Sequence, residues 1–309
     1  MLEKIPTRNG FGDAIVELGE INPDIYVIEC DISKSTKTKK FSQVFPERHI
    51  NVGIAEQNAA GLAAGMATTG KIPFVSTYAV FGSMRMCEQV RTSICYPNLN
   101  VKIACSHGGL TPANDGVTHQ AIEDMGIYRT IPNMTVIMPA DYFSAKKLVK
   151  AAAKKVGPVY LRFTRDPVPI YYAENEDFEI GKGKLLKTGS DLSIISIGDM
   201  LSEAIAACED LEKNGISVEL IDMHTLKPLD EALIRQTLNK TKKIITVEDH
   251  NIINGLGSAV ADIVAECGYG VQKRIGLRDT FAESGQYEEL LEKYKMSRKY
   301  IVEAAKSIL

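Results

Sequence analysis

Residues 51–70, NVGIAEQNAAGLAAGMATTG, decide how the rest of the chain is read. A strand-like start gives way to a run of Ala, Gly, Leu and Met whose only charge is Glu56. Small side chains at Ala55, Ala59, Ala60, Ala63, Ala64 and Ala67 predict a helix that packs closely against neighbours on more than one side. The helix dipole favours a carboxylate in the first turn. Burial there disfavours the charged form unless a cation or hydrogen-bond donor compensates. Glu56 is then either an ordinary first-turn charge or a buried carboxylate that shares a proton with a ligand.

Outward from this stretch the apolar pattern alternates between helix and strand. Residues 7–20 read as a helix closed by Asn22-Pro23, and residues 25–30 as a strand ending at Asp31. DISKSTKTKK follows, a polar loop expected to be solvated and mobile, with lysines at 34, 37, 39 and 40. Beyond the helix of Glu56 come a strand at 72–77, a helix at 83–95, a strand at 101–105 and a Gly-, Pro- and Asn-rich loop at 106–120. A strand at 135–138, a helix at 142–154 and a strand at 159–164 complete the first unit. Residues 165–183, with Asp166-Pro167, Pro169, paired tyrosines and ENEDFE, read as an interdomain linker. The alternation restarts with strands at 192–197, 218–221, 244–247 and 271–277 and helices at 202–214, 230–238, 256–267, 287–293 and 297–308. The predicted fold class is α/β, with two open doubly wound, mainly parallel sheets. Ligands in such sheets sit at the carboxyl ends of strands, which draws attention to Asp31, residues 77–81 and the loop after Cys105.

A chain of 309 residues suits two domains, each with its own core. Hydrophobic content of 45% and charged content of 24% describe a soluble globular protein. A net charge of -3 removes the electrostatic reason to expect nucleic acid or an anionic membrane as partner. The six cysteines show no CxxC and no metal-ligand spacing, so reduced thiols are expected. MLEKIPTRNG has no apolar core of a signal peptide, and no apolar run reaches the ~20 residues of a membrane span. A cytoplasmic location is the expectation.

The loop 106–120 carries two of the five histidines, and His107, Asp115 and His119 form its chemistry. Imidazoles exchange protons near neutral pH, and a carboxylate accepts from a hydroxyl. A metal set is the weaker rival, because the HxxxH pattern signals a metal mainly on a helix. Tyr78 and Phe81, three apart after a strand, suit either core packing or a flat ring. IGDM at 197–200 and NGLGS at 254–258 are weak phosphate signals, and Asp199 reads as an ordinary N-cap.

GIAEQN on a small-residue helix, then STYAVF, then SHGGLTPANDGVTHQAIEDMGIYRTIPNMTVIMPAD, together resemble the C-terminal half of transketolases. The resemblance runs over nearly the whole chain. It implies a pyrimidine-binding domain at 1–165, a linker at 166–185 and the family's C-terminal domain at 186–309. It also implies thiamine diphosphate as cofactor, with Glu56 bonding a ring nitrogen of the aminopyrimidine and Tyr78 and Phe81 enclosing that ring. Met84 falls where many members carry a third aromatic. His107 and His119 are implied to face the reacting oxygens of a ketose and Asp115 to read a hydroxyl. Arg8, Ser35 and Arg165 match positions that hold the sugar phosphate, since a guanidinium suits bidentate phosphate binding. Asp31 corresponds to a polar residue near the cofactor at a subunit interface.

Members of that family also need an amino-terminal domain whose GDG motif and downstream asparagine bind Mg2+ and the diphosphate. This chain has no GDG. The expectation is therefore the C-terminal subunit of a split transketolase, active only with an N-terminal subunit that holds the metal, as an α2β2 heterotetramer acting on sugar phosphates. The alternatives are a deoxyxylulose-phosphate synthase-like enzyme, a 2-oxoacid dehydrogenase beta subunit, and last a non-catalytic scaffold. DGVTHQ favours the sugar enzymes over the dehydrogenase. Ser106-His107-Gly108-Gly109 stands where the synthase usually has an Asp-Arg-Ala-Gly run.

Overall fold

The computed structural model describes residues 2–309. Its strands are β1 (Lys4–Ile5), β2 (Ile25–Glu29), β3 (His49–Asn51), β4 (Ile72–Ser76), β5 (Lys102–Cys105), β6 (Thr135–Ile137) and β7 (Val159–Arg162). There follow β8 (Val168–Pro169), β9 (Lys184–Lys187), β10 (Leu192–Ser196), β11 (Val218–Asp222), β12 (Thr225–Lys227), β13 (Lys243–Asn251) and β14 (Val271–Leu277). One sheet runs β12-β6-β7-β5-β4-β2-β3, a second runs β14-β13-β10-β11-β9, and β1 pairs with β8. Within the two larger sheets only β12 against β6 and β9 against β11 are antiparallel. Two mainly parallel α/β sheets is what the alternating pattern predicted.

Period-two alternation sends successive side chains to opposite faces. Val27, Phe74, Ala104, Ile137 and Leu161 meet the helices Thr7–Ile21 and Tyr142–Lys154 on one face of the first sheet. Ile28, Val75, Ile103, Val136 and Tyr160 meet the helix Glu56–Thr68 and the segment 87–95 on the other. Ala59, Ala60, Ala63 and Ala64 are buried, so the small-residue helix packs closely, as its composition demanded. The second core does not close by itself. Ile195, Ile221, Ile244 and Val260 belong to the same apolar cluster as Ile28 and Val75, and β12 extends the first sheet by pairing Thr225 with Ile137.

Three local readings are corrected. The lysine-rich segment 31–40 is not an open loop: the short helices Ser33–Thr36 and Lys39–Val44 fold it down. Burying Phe41, Thr36 and Thr38 draws it onto the first unit, while Lys34, Lys39 and Lys40 stay exposed. The helix expected at 83–95 begins earlier, at Ala79–Met84, and its later part, Val90–Cys95, is π-helical. Asp199 is not the N-cap of Leu201–Glu212; its Oδ2 accepts from the Tyr287 hydroxyl instead. The NGLGS turn holds no open anion site either, because the Glu248 carboxylate already accepts from the N–H groups of Leu256 and Gly257 at 2.6 and 2.8 Å.

Candidate active site

Glu56 opens its helix and is 4% exposed. The compensating cation is Arg85, whose Nη1 lies 3.2 Å from Oε1. From Arg85 an unbroken run of contacts crosses the carboxyl ends of β4 and β5. Its guanidinium carbon stands 4.0 Å from the centroid of the Phe81 ring, a cation–π contact. Phe81 and Tyr78 are 5.6 Å apart between centroids and tilted by 33°, forming a shallow aromatic cleft rather than one plane. His119 approaches both rings, at 5.5 and 5.8 Å, and His107 lies 3.9 Å from Tyr78. Arg8 Nη1 then reaches His107 Nε2 at 3.4 Å and the backbone oxygen of Ser35 at 3.1 Å.

The sheet brings these groups together. Ala79 N–H donates to Ser106 O and Ser106 N–H to Thr77 O, so the chain leaving β4 and the chain leaving β5 stay paired past their strands. Tyr78 and His107 are neighbours for that reason. His107 has φ of 64°, a left-handed conformation that costs a non-glycine residue about 1 kcal/mol. It is held there by Ser106 Oγ at 2.8 Å from Nδ1 and by Arg8 on the other ring nitrogen.

Electrostatics assign His107 a single form. Burial, then Arg8, Arg165, His119 and Lys37, push its pKa down to about 3, so the ring is neutral near pH 7. A guanidinium can only donate, so Nε2 accepts from Arg8. The proton is therefore on Nδ1 and is donated to Ser106 Oγ. Arg8 is itself lowered by burial and by Arg165, more than Asp166 raises it, and Lys37 is lowered by burial, then by Arg8 and Lys40. Cations crowded in this way favour an anionic ligand. Arg165 is fixed in place by donating from Nη1 to Pro112 O at 2.7 Å.

Two residues singled out in the sequence stand apart from this run. Asp115 is exposed on the short turn Ala113–Asp115 of the same loop. Asp31 is exposed beyond β2 and accepts from Asn51 Nδ2 at 3.0 Å. Ser35 takes part through its carbonyl. Met84 is 46% exposed beside Glu56 and Arg85, where it lines an open hollow with Ile54, Gln57 and Asn58. Among the described residues, no group of three or more His, Cys, Asp or Glu converges as a metal site. Sequence reasoning missed Arg85. A lone acid on an apolar helix demands a cation, and Arg85 follows Phe81 by one helical turn, but nothing local pairs it with Glu56 across 29 residues.

An acid with its cation, an aromatic cleft, two imidazoles and a cationic cluster, in that order, suit a flat heterocycle next to an anionic substrate. Comparison with known proteins shows the family. Residues 3–169 match the transketolase pyrimidine binding domain, and residues 181–301 match the transketolase C-terminal domain. The chain belongs to the transketolase family. A protein described as a putative transketolase C-terminal section, from Methanocaldococcus jannaschii, is 47% identical over 290 residues, 93% of this chain and 91% of that one. A 6-deoxy-6-sulfo-D-fructose transketolase subunit from a Clostridium strain is 38% identical, covering 99% of this chain and 95% of its own. A solved structure described as a split gene transketolase, inactive beta4 tetramer, superposes with a TM-score of 0.93 at 46% identity, over 99% of this chain and 98% of that one. The transketolase fold thus accounts for both sheets. No helix among the described residues is long and apolar enough to cross a membrane.

Proposed function

We propose that this chain is the C-terminal subunit of a split, thiamine diphosphate-dependent transketolase that moves a two-carbon ketol unit from a ketose phosphate to an aldose phosphate. The run from Glu56 through Arg85, Phe81, Tyr78 and His107 to Arg8 carries the reading. When bound, the cofactor would supply nucleophilic chemistry toward a ketose carbonyl that no side chain here offers. Glu56 fits the aminopyrimidine because its carboxylate is buried beside Arg85 at the end of the aromatic cleft, and it would hold a proton at a ring nitrogen. Arg85 keeps that carboxylate oriented. Tyr78 and Phe81 pack the ring and exclude water from it.

His119, half-buried on the aromatic cleft, moves a proton at the substrate oxygen. His107 is neutral and doubly tethered, so its part is to orient substrate and Arg8. Asp115 would read a substrate hydroxyl from the loop. Arg8, Arg165 and Lys37 hold the substrate's terminal anion, with Ser35 fixing Arg8. Such a cluster binds a phosphate, and equally a sulfonate of the kind in the Clostridium relative's name. Asp31 lies toward the subunit interface. The diphosphate and Mg2+ belong to a separate N-terminal subunit in an α2β2 assembly in the cytoplasm. That two relatives described as a transketolase C-terminal section and as a transketolase subunit each match over more than nine-tenths of their length supports the split arrangement.

The test combines purified chain, thiamine diphosphate and Mg2+ with and without the N-terminal chain, following transfer from xylulose 5-phosphate to ribose 5-phosphate. Transfer is expected only in the mixture, and Glu56→Ala is expected to lower it roughly 100-fold or more. No transfer by a verified assembly overturns the sugar reading, and pyruvate then tests the dehydrogenase alternative.

A further inference from the structure

The carboxyl ends of β10, β11 and β13 are where a sheet of this kind ordinarily binds a ligand. In this chain the first unit covers them, and Asp199, Asp222, Glu248, Asp249 and His250 are each at most 2% exposed. Asp222 accepts from the Tyr172 hydroxyl at 2.7 Å, Glu248 caps the helix Leu256–Cys267, and His250 accepts from Gly126 N–H at 3.2 Å. Asp249 reaches further. Its Oδ2 accepts from Leu110 N–H at 2.8 Å, three residues beyond His107.

The far end of the loop is tied down by Arg162, which also binds the backbone of Asp249. Asp249 O accepts from Arg162 Nη2 at 2.9 Å, and that nitrogen also donates to Ala121 O at 2.7 Å. Ala121 O in turn accepts from Gly109 N–H at 2.8 Å. Both ends of the loop that bears His107, Asp115 and His119 therefore meet at one point. Gly109 is required there: its φ is 60°, and a Cβ would stand 2.0 Å from Asp249 Oδ2. Burial, reinforced by Asp199, holds the Asp249 carboxyl well above its usual range, so an amide is a fair replacement for it.

We propose that Asp249 is a positioning residue, which sets the His107–Leu110 backbone and the His107 ring from the second unit without touching substrate. The kinetic arm of its test rests on the transketolase reading; a second arm does not. In the full chain labelled with 13C at histidine Cε1, with His107 assigned by His107→Gln, the wild-type His107 signal stays in the neutral-ring position down to pH 5. Burial keeps it there first, and the charged neighbours Arg8, Arg165, His119 and Lys37 add to that.

Asp249→Ala lets the loop relax away from them, and the signal is expected to titrate between pH 5 and 7. Asp249→Asn, which still accepts from Leu110, is expected to keep the wild-type signal. In the assembled enzyme Asp249→Ala lowers kcat roughly 10- to 100-fold, with the asparagine variant recovering most of it. Should Asp249→Ala fail to fold, Gly109→Ala meets the same carboxylate from the loop side and is expected to give the same signal. An unmoved His107 signal in either folded variant overturns the proposal. A wild-type assembly without transfer refutes the functional reading instead, and the titration still decides the role of Asp249.

Discussion

Glu56 and Arg85 show what burying one charge demands. The carboxylate is 4% exposed and its partner is half open to solvent, so the pair is held by the need to satisfy Glu56 more than by the Coulomb energy of an exposed guanidinium. Arg85→Ala leaves the acid buried alone and is expected to cost about 1–2 kcal/mol in chemical denaturation. Adding Glu56→Gln should recover most of that loss, because the unpaired charge is then gone. Equal loss in the single and double variants would show that Arg85 stabilises through packing on Phe81 instead.

At the scale of elements, the close approach of helices rests on glycine and alanine. Gly10, in Thr7–Ile21, faces Tyr142–Lys154 so tightly that an added Cβ would stand 2.5 Å from Tyr142 O and 2.9 Å from Ala145 Cβ. In a free helix Gly→Ala would stabilise by about 1 kcal/mol. Here a backbone oxygen cannot give way, so overpacking wins and Gly10→Ala is expected to lose a net ~1–3 kcal/mol. A raised melting temperature for this variant would mean that the two helices can separate without penalty. Elements this dependent on small side chains were recognisable from composition in the helix of Glu56. Short strands such as β1 and β12 were not, since two or three residues carry too little alternation to stand out.

The two sheets behave as one molecule because charged and apolar groups cross between them. Arg162 is fully buried; its Nε lies 3.0 Å from Asp124 Oδ2, and its Nη2 bonds carbonyls in both units. β12 completes the first sheet, and Lys227 Nζ donates to Arg129 O at 2.9 Å and Ile131 O at 2.6 Å. Calorimetry is expected to show a single unfolding transition for the chain. Arg162→Ala should lower its stability by about 3–5 kcal/mol, since Asp124 would remain buried without a cation. Two separated transitions in the wild type would show that the junction contributes little.

Local pattern was enough for the α/β alternation, for Glu56 as the odd charge on an apolar helix, and for the motif run that marks the transketolase family. Those features depend on neighbours three or four residues away or on the order of rare residue types, and both are written along the chain. Tertiary structure alone decided that Arg85 answers Glu56, that Asp199 faces Tyr287, and that Asp249 reaches Leu110 across 139 residues. The physical reason is common to them. Each is a buried polar group whose partner is chosen by proximity after folding, often a backbone N–H or carbonyl that every residue carries, and such a partner leaves no mark in the sequence.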